Sequence, residues 1–533
     1  MLEWIKKPES GAEDPMRSPA SASALLAELR ESDPVTALSE LGGWLGSIRG
    51  APDFDERARS EVLGLVQEAG ATHVAKLLRQ YLAVGADNEV VRETKWKAMY
   101  AYATRLAETL CVSAERLQGL AKSEPADLGA AAGGTVRALR ACRTLVKVCL
   151  VHYVDVPPDL WRRAYAIHAG AEAIGCATTA TRPHHSQRIS TTATHDLLRL
   201  LLMDVAAPEA LASEQIEIVD RVAEQLGADF TLRPPGVADN PFCFDPAGER
   251  PPRRAAPESE SAGARYFGPG VGLDMLVRLQ KQMAAAGDKD PSPFGADIPA
   301  HAQLAAVEHL MLHWGPNPPR GAPAHSPAKG ELRVVHGFAG VCKHLTDGGA
   351  PGASRGLELA SDDDVAFAPP ETWTIRDGGG SEVGAEMPLP AANWARSGML
   401  VTFSVAGRNE WWLGVIRRIH ADVDKSAHVD IGCISRKPVA VSLRPQARGS
   451  GDAEWQASAG TFAFVNVNAV LMPDASEASG TQNVLLPPDA WKPGRVYEAR
   501  MPEGARELKL VRVLQRGEDF LRAEFEWLPA AAA

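Results

Sequence analysis

Two histidines four residues apart on a helix can hold a metal ion between them. His309 and His313 have that spacing. No glutamate follows His309, so the metalloprotease pattern is absent and a structural role is expected for both. His184, His185 and His195 lie close together in a stretch rich in Thr and Ser, with Asp196 as the carboxylate a metal site there would need. A solvated loop is the competing reading, and no metal is expected. Gly268-Pro-Gly270-Val-Gly272 precedes a helical pattern, and a helix N-terminus can take phosphate. No strand is read before it and no Lys-Ser/Thr pair follows, so neither the dinucleotide-binding nor the P-loop context is met. A turn that opens a helix is the better reading. The chain has no Gly-x-Ser-x-Gly elbow, and no carboxylate pair stands out among its 67 acidic residues. It is expected not to be an enzyme and to need no cofactor.

The arginines are more suggestive. Arg320 ends Pro318-Pro319-Arg320, and Arg333 sits on the strand expected next. Arg376 precedes Asp377-Gly-Gly-Gly-Ser381-Glu-Val-Gly384, and Arg417 and Arg418 follow Trp411-Trp412-Leu413-Gly414. Guanidinium forks match phosphates and the Hoogsteen edge of guanine. A Ser-x-x-Gly turn offers a hydroxyl and backbone N–H groups to the same anion. An ordinary surface with scattered arginines is the alternative.

The balance of charge narrows the ligand. With 56 basic and 67 acidic residues the net charge is −11. Such a chain does not bind duplex backbone through its general field, because that needs a basic surface. A small anion in a local basic pocket is still allowed. The opening MLEWIKKPES has no apolar run after its lysines and does not read as a secretory leader. No stretch approaches the ~18–20 apolar residues of a membrane span. Seven scattered cysteines form no CxxC pair, so neither a disulfide framework nor a zinc knuckle is expected. A reducing cytoplasm fits best.

These residues need elements to position them, and the elements come in two kinds. Residues 1–20 read as a disordered lead-in. From 21 to 231 the apolar period is helical. Asp33-Pro34 is a capped helix start, with Val35, Leu38, Leu41, Leu45 and Ile48 on one face. A second helix is read as ending at Gly70, and a third as running from Val74 to Leu82. Further helices are read around Trp96–Leu110, Val136–Cys149, Leu160–His168, 192–206 and 212–226. The expectation is a helical bundle or an irregular α-solenoid. Residues 232–264, rich in Pro, Gly and charge, read as a linker, and 265–313 as a helical connector.

From about 331 the period becomes two. Met399, Val401, Phe403 and Val405 alternate with more polar residues, as do Val429, Ile431 and Cys433, and Val439, Val441 and Leu443. Leu521, Ala523, Phe525 and Trp527 face away from Arg522, Glu524 and Glu526. Antiparallel β-barrels or a sandwich are expected. The break near 446–458 favours two modules, at 314–446 and 459–530. The fold class is thus multidomain α plus β.

The β half resembles PilZ-type domains, small β-barrels that bind the bacterial second messenger cyclic di-GMP. The stretches that carry the resemblance are HWGPNPPRG (313–321), ELRVVHGFAGVCKHL (331–345), Trp373-Thr-Ile-Arg with Ser381-x-x-Gly384, EWWLGVIRRI (410–419) and HVDIGCISRKPVAVSL (428–443). NVLLPPDAWKPGRVYEARM and the early DPVTAL…WL pattern are similar to long bacterial members with a helical N-terminal half. The family carries an Arg-x-x-x-Arg element that clamps guanine and phosphate. It also carries an Asp/Asn-x-Ser-x-x-Gly element that cradles the ligand. The resemblance implies ligand-binding roles for Arg320, Arg333, Ser381 and Gly384, with Arg376 as a substitute clamp. Here Ala324 stands four residues after Arg320, and Gly379 stands at the Asp/Asn position with Asp377 two residues early. Loss of one charge-assisted arginine contact costs about 1.5–3 kcal/mol, or about ten- to a hundredfold in affinity. The implied function is a cyclic di-GMP receptor that relays a signal to a protein partner through its helical half. The alternative is a PilZ-like adaptor that has lost nucleotide binding and acts through protein contacts alone.

Overall fold

The structure, a computed structural model, describes residues 15–51, 54–83, 89–183, 190–233, 240–255, 263–286, 293–316, 326–348, 369–379, 382–388, 394–406, 410–421, 426–446, 466–473, 482–501, 504–517 and 519–529. It divides into two compact units, Met1–Gly321 and Ala322–Ala533. Helices in the first unit and antiparallel barrels in the second are what the periodicity of the sequence predicts.

The first unit is built on ten helices among the described residues: α1 (Pro19–Glu28), α2 (Pro34–Gly50), α3 (Glu56–Ala83), α4 (Glu89–Ser123), α5 (Leu128–Leu150), α6 (Pro158–Ala173), α7 (Ala193–Asp204), α8 (Ser213–Leu226), α9 (Gly272–Ala286) and α10 (Ala300–His313). The start of α2 is as its sequence dictates. The Asp33 carboxylate accepts from the Thr36 N–H at 3.1 Å, Pro34 takes the first turn, and Leu38, Leu41, Leu45 and Ile48 are buried. Gly70 does not end a helix; α3 runs straight through it. A Cβ at that position would overlap the Tyr102 hydroxyl of α4, so the glycine lets two helices approach closely rather than stopping one. The hydroxyl of the buried Tyr102 donates to the Val66 carbonyl at 3.2 Å.

α5 carries the centre of the unit. Buried Val136, Leu139, Cys142, Leu145, Val146 and Cys149 line its apolar side. Its other side presents Arg140, Arg143 and Lys147 to α8 in antiparallel register. Arg143 pairs with Asp220 and Glu224 (3.3 and 2.5 Å), and Lys147 with Glu217 and Asp220 (3.0 and 2.7 Å). Arg140 meets Asp196 of α7 at 3.2 Å. Burial works against ionising Asp220, but Lys147 and Arg143 prevail and hold its carboxyl at about 2.

The stretch read as a linker contributes short strands to a small sheet, completed by a strand just after it. β1 (Thr231–Arg233), β2 (Phe242–Phe244), β3 (Arg253–Arg254) and β4 (Arg265–Gly268) lie in the order β1-β4-β2-β3. Its short apolar triplet, Phe242-Cys243-Phe244, is wholly buried. Phe244 stacks on Tyr165 of α6 at 4.7 Å and Phe242 packs against Phe267 at 5.4 Å. Three residues are too few to register as periodicity amid so many prolines.

The second unit holds two closed antiparallel barrels of six strands each. The first is β5 (Ser326–His336), β6 (Glu371–Gly379), β7 (Glu382–Pro388), β8 (Leu400–Val405), β9 (Trp412–Ala421) and β10 (Ser426–Ser435), closed in the order β10-β7-β6-β5-β8-β9. The second is β11 (Val439–Pro445), β12 (Val467–Met472), β13 (Gln482–Leu486), β14 (Val496–Met501), β15 (Gly504–Arg516) and β16 (Leu521–Trp527). The strand at 439–445, assigned from sequence to the first module, therefore belongs to the second. It pairs with β12 and β14, so the division falls between Ser435 and Val439, ahead of the glycine-rich break. One helix was not foreseen: α11 (Phe338–Gly348). Its Phe338, Val341 and Cys342 join Leu400, Leu413 and Val415 of the first barrel and Val470, Met472, Leu485 and Phe520 of the second in one buried cluster. A single shared core thus seats the two barrels on each other.

Candidate ligand-binding face of the first barrel

Alternation along the strands separates the barrel's lining from its outer face. Trp373, Ile375, Ala385, Met387, Val429 and Ile431 are buried inside. Outward on β6, β7 and β10 stand Arg376, Gly384, Glu386, Ser426, His428 and Asp430. Gly384 pairs with Asp377 of β6 on one side and Asp430 of β10 on the other. A Cβ at Gly384 would overlap the Asp377 carboxylate, which lies across it. The acid that stands two residues early in the sequence is thus brought against the motif's glycine by the β6–β7 pairing.

Arg376 is the extra residue of a β-bulge. Ile375 pairs with Ala385 and Asp377 with Gly384, leaving Arg376 unpaired in the ladder. Bulges re-aim side chains in this way. Its Nε donates to Glu386 Oε2 at 3.0 Å, and Ser426 Oγ donates to Glu386 Oε1 at 2.6 Å. The Ser426 hydroxyl and, after it, the Arg376 charge hold the Glu386 carboxyl below its usual range, against an opposing effect of burial. With Nε engaged, the two terminal nitrogens of the half-exposed Arg376 face outward. They have no partner among the described residues.

The other expected site residues fare differently. Arg320 and Ser381 lie outside the described residues. Ser326, where β5 begins, pairs with Gly378 at the β6–β7 end of the barrel. Arg333 is not gathered with Arg376 and Gly384. It stands opposite Thr372 on β6 and Ser404 on β8, and its guanidinium lies 5.1 Å from the Trp411 ring centroid. Trp411 in turn meets His344 of α11 edge-on at 4.0 Å. The four residues separating Thr372 from Arg376 span about 13 Å of strand, so Arg333 belongs to a different part of the surface. Sequence reasoning missed Glu386 and Ser426. They are joined to Arg376 only by strand register, and no local motif marks them.

Among the described residues no group of His, Cys, Asp and Glu could hold a metal ion. His309 Nε2 bonds the Ala206 carbonyl at 2.6 Å and its ring stacks on His313 at 4.1 Å, which is a structural use of both. Asp196 is occupied by Arg140, Arg199 and Thr191; His184 and His185 lie outside the described residues. The glycine turn at 268–272 does follow a strand, β4, contrary to the sequence reading. That strand is antiparallel to both neighbours. The turn also packs on Asp229 and Phe230, close to Gly270 and Gly272, so it serves to seat α9.

In the helical unit, α3, α4, α5 and α8 line a half-open pocket of about 990 Å³. Val74, Leu78 and Leu106 line it on one side, and the paired charges of Arg143, Lys147 and Asp220 on the other.

One family model matches within the helical unit. Residues 20–236 match the family model described as "Cyclic-di-GMP receptor FimW, N-terminal domain". Over that stretch the helical half is similar to that domain. The matched FimW-type stretch runs from α1 through β1 and so includes the α5–α8 charge ladder and most of the pocket wall. No curated protein and no solved structure matches the chain. None of the described helices is long and apolar enough to cross a membrane.

Proposed function

We propose that this chain is a non-enzymatic cytoplasmic receptor for cyclic di-GMP. The ligand is held on the outer face of the first barrel around Arg376 and Gly384, and the signal passes to a protein partner through the helical domain. The observation that carries the reading is the match of the helical half to the N-terminal domain of a cyclic di-GMP receptor, followed in the same chain by a β-barrel. The face around Gly384 has suitable chemistry. An arginine fork suits O6 and N7 of guanine or a phosphate, and carboxylates such as Asp377 accept from amide-type N–H donors. Arg320, which precedes β5 in the sequence, is assigned to the same ligand by its place in the family-type motif. No metal, further cofactor or nucleic acid polymer is required.

Calorimetric titration of cyclic di-GMP into the full chain tests the reading. Saturable micromolar or tighter binding is expected, weakened at least tenfold in Arg320→Ala and in Arg376→Ala and unchanged in Arg522→Ala on the second barrel. No heat and no thermal shift at high ligand concentration would instead make the chain a PilZ-like adaptor.

A further inference from the structure

The first barrel has a second outward bulge, and it too makes an arginine the extra residue. On β9, Arg418 pairs with Asp430 and Ile416 with Ile431. Arg417 is left over, as Arg376 is on β6. The two bulged strands flank β7 and β10, so the two arginines stand on either side of the same two-strand strip. The centre of that strip lacks side chains at two places. Gly384 on β7 pairs with Asp430, and Gly432 on β10 pairs with Glu382, which places the two glycines diagonally on one face.

Arg417 depends on the second glycine. A Cβ on Gly432 would stand 2.7 Å from Arg417 Nε and 2.9 Å from Cγ, so the side chain lies flat across the glycine only because nothing projects there. The bulge is braced from beneath. Ser397 Oγ donates to the Arg417 carbonyl at 3.3 Å, Gly398 N–H to the Ile416 carbonyl at 2.8 Å and Ile416 N–H to the Met399 carbonyl at 3.0 Å. The guanidinium is exposed and has no carboxylate partner among the described residues. Its counterpart Arg376 is steered by Glu386 and likewise keeps its outer nitrogens open.

We infer that Arg417 is the second arginine of the ligand clamp, acting with Arg376 across a floor formed by Gly384 and Gly432. This inference rests on the proposed cyclic di-GMP reading and deepens it. β6 and β9 are three strand spacings apart, about 14 Å along the sheet. Arg376 leans toward Glu386, which pairs with His428, and Arg417 lies over Gly432, so the two forks stand four residues apart along β10, about 13 Å, and each grips a different part of the ligand. A guanine base or phosphate is the chemistry that two such forks accept. Adenine presents an amino donor where guanine has O6, so the pair also selects between purines. The pair would stand in for the Arg-x-x-x-Arg element that is broken at Ala324.

The test is titration of the full chain with cyclic di-GMP and, separately, with cyclic di-AMP. Arg417→Ala is expected to weaken cyclic di-GMP binding ten- to a hundredfold. Gly432→Ala, which keeps the arginine but lifts it from the floor, should weaken it at least several-fold. Arg500→Ala on the second barrel should match the parent, and cyclic di-AMP should bind more weakly than cyclic di-GMP. Because Arg417 is exposed, thermal melts of Arg417→Ala should overlay those of the parent. If the parent binds and Arg417→Ala binds equally well, the inference fails while the receptor reading stands. If the parent gives no heat with cyclic di-GMP, the receptor reading fails and the inference falls with it.

Discussion

Gly70 and Gly384 both owe their importance to an atom they lack. At Gly70 the missing Cβ admits the Tyr102 hydroxyl between α3 and α4. Gly70→Ala is expected to destabilise the helical unit by about 1–3 kcal/mol through overpacking, although alanine is the better helix former. Denaturant unfolding followed by helical circular dichroism checks this, and a neutral or stabilising effect would contradict the close-packing account. At Gly384 the missing Cβ admits the Asp377 carboxylate. From sequence, that acid counted as displaced from its motif position, because spacing along a chain says nothing of which residues a hairpin bulge brings side by side. Glu386 has the opposite lesson. It touches no expected ligand group, yet it steers Arg376. Glu386→Gln should weaken cyclic di-GMP binding by less than Arg376→Ala, with the double variant no worse than Arg376→Ala alone. Additive losses in titrations of the three variants would show that Glu386 acts independently.

The helices were legible because their apolar faces repeat over several turns. Boundaries were lost where a glycine had a packing role, as in α3, or where an apolar run was only three residues long, as in β2. α11 was not foreseen because its eleven residues lie between two β segments. Energetically, the α5–α8 ladder is the element with the most at stake. Its charges are largely withdrawn from water, so removing one partner strands the other. Asp220→Ala should cost about 3–5 kcal/mol, measurable as a lower denaturation midpoint; a cost below about 1 kcal/mol would mean that the ladder is solvent-screened. The same unit buries histidines in their neutral form. Burial pushes His73, His152, His168, His195 and His309 below the usual imidazole value. Unfolded chains therefore bind more protons than the folded protein below about pH 6.5, and stability must fall as pH falls through that range. Glu93 adds to this at lower pH. The hydrogen bond from His152 holds its carboxyl at about 2 against burial, so its contribution is full above the ordinary carboxylate range and is lost on approach to pH 2. Melting temperature is expected to be level above pH 7 and to decline steadily below 6.5. A rise on acidification would contradict the buried-neutral assignment.

At the scale of the whole molecule, composition and periodicity were enough to separate a helical half from a β half. The pairing of strands into barrels was not, because closure depends on which edges meet. The glycine-rich break at 446–458 marked a long connection inside the second barrel, between β11 and β12, and was mistaken for the gap between barrels. Of the residues the family resemblance assigned to the ligand, Arg376 and Gly384 lie on one face of the first barrel, whereas Arg333 lies against Trp411. The central claim is that cyclic di-GMP sits on the bulged face of the first barrel. Hydrogen–deuterium exchange of the full chain with and without saturating cyclic di-GMP tests it most directly. The account predicts slowed exchange over residues 371–388 and 412–435, with the second barrel unchanged. Protection confined to the helical unit, or none anywhere, would contradict it.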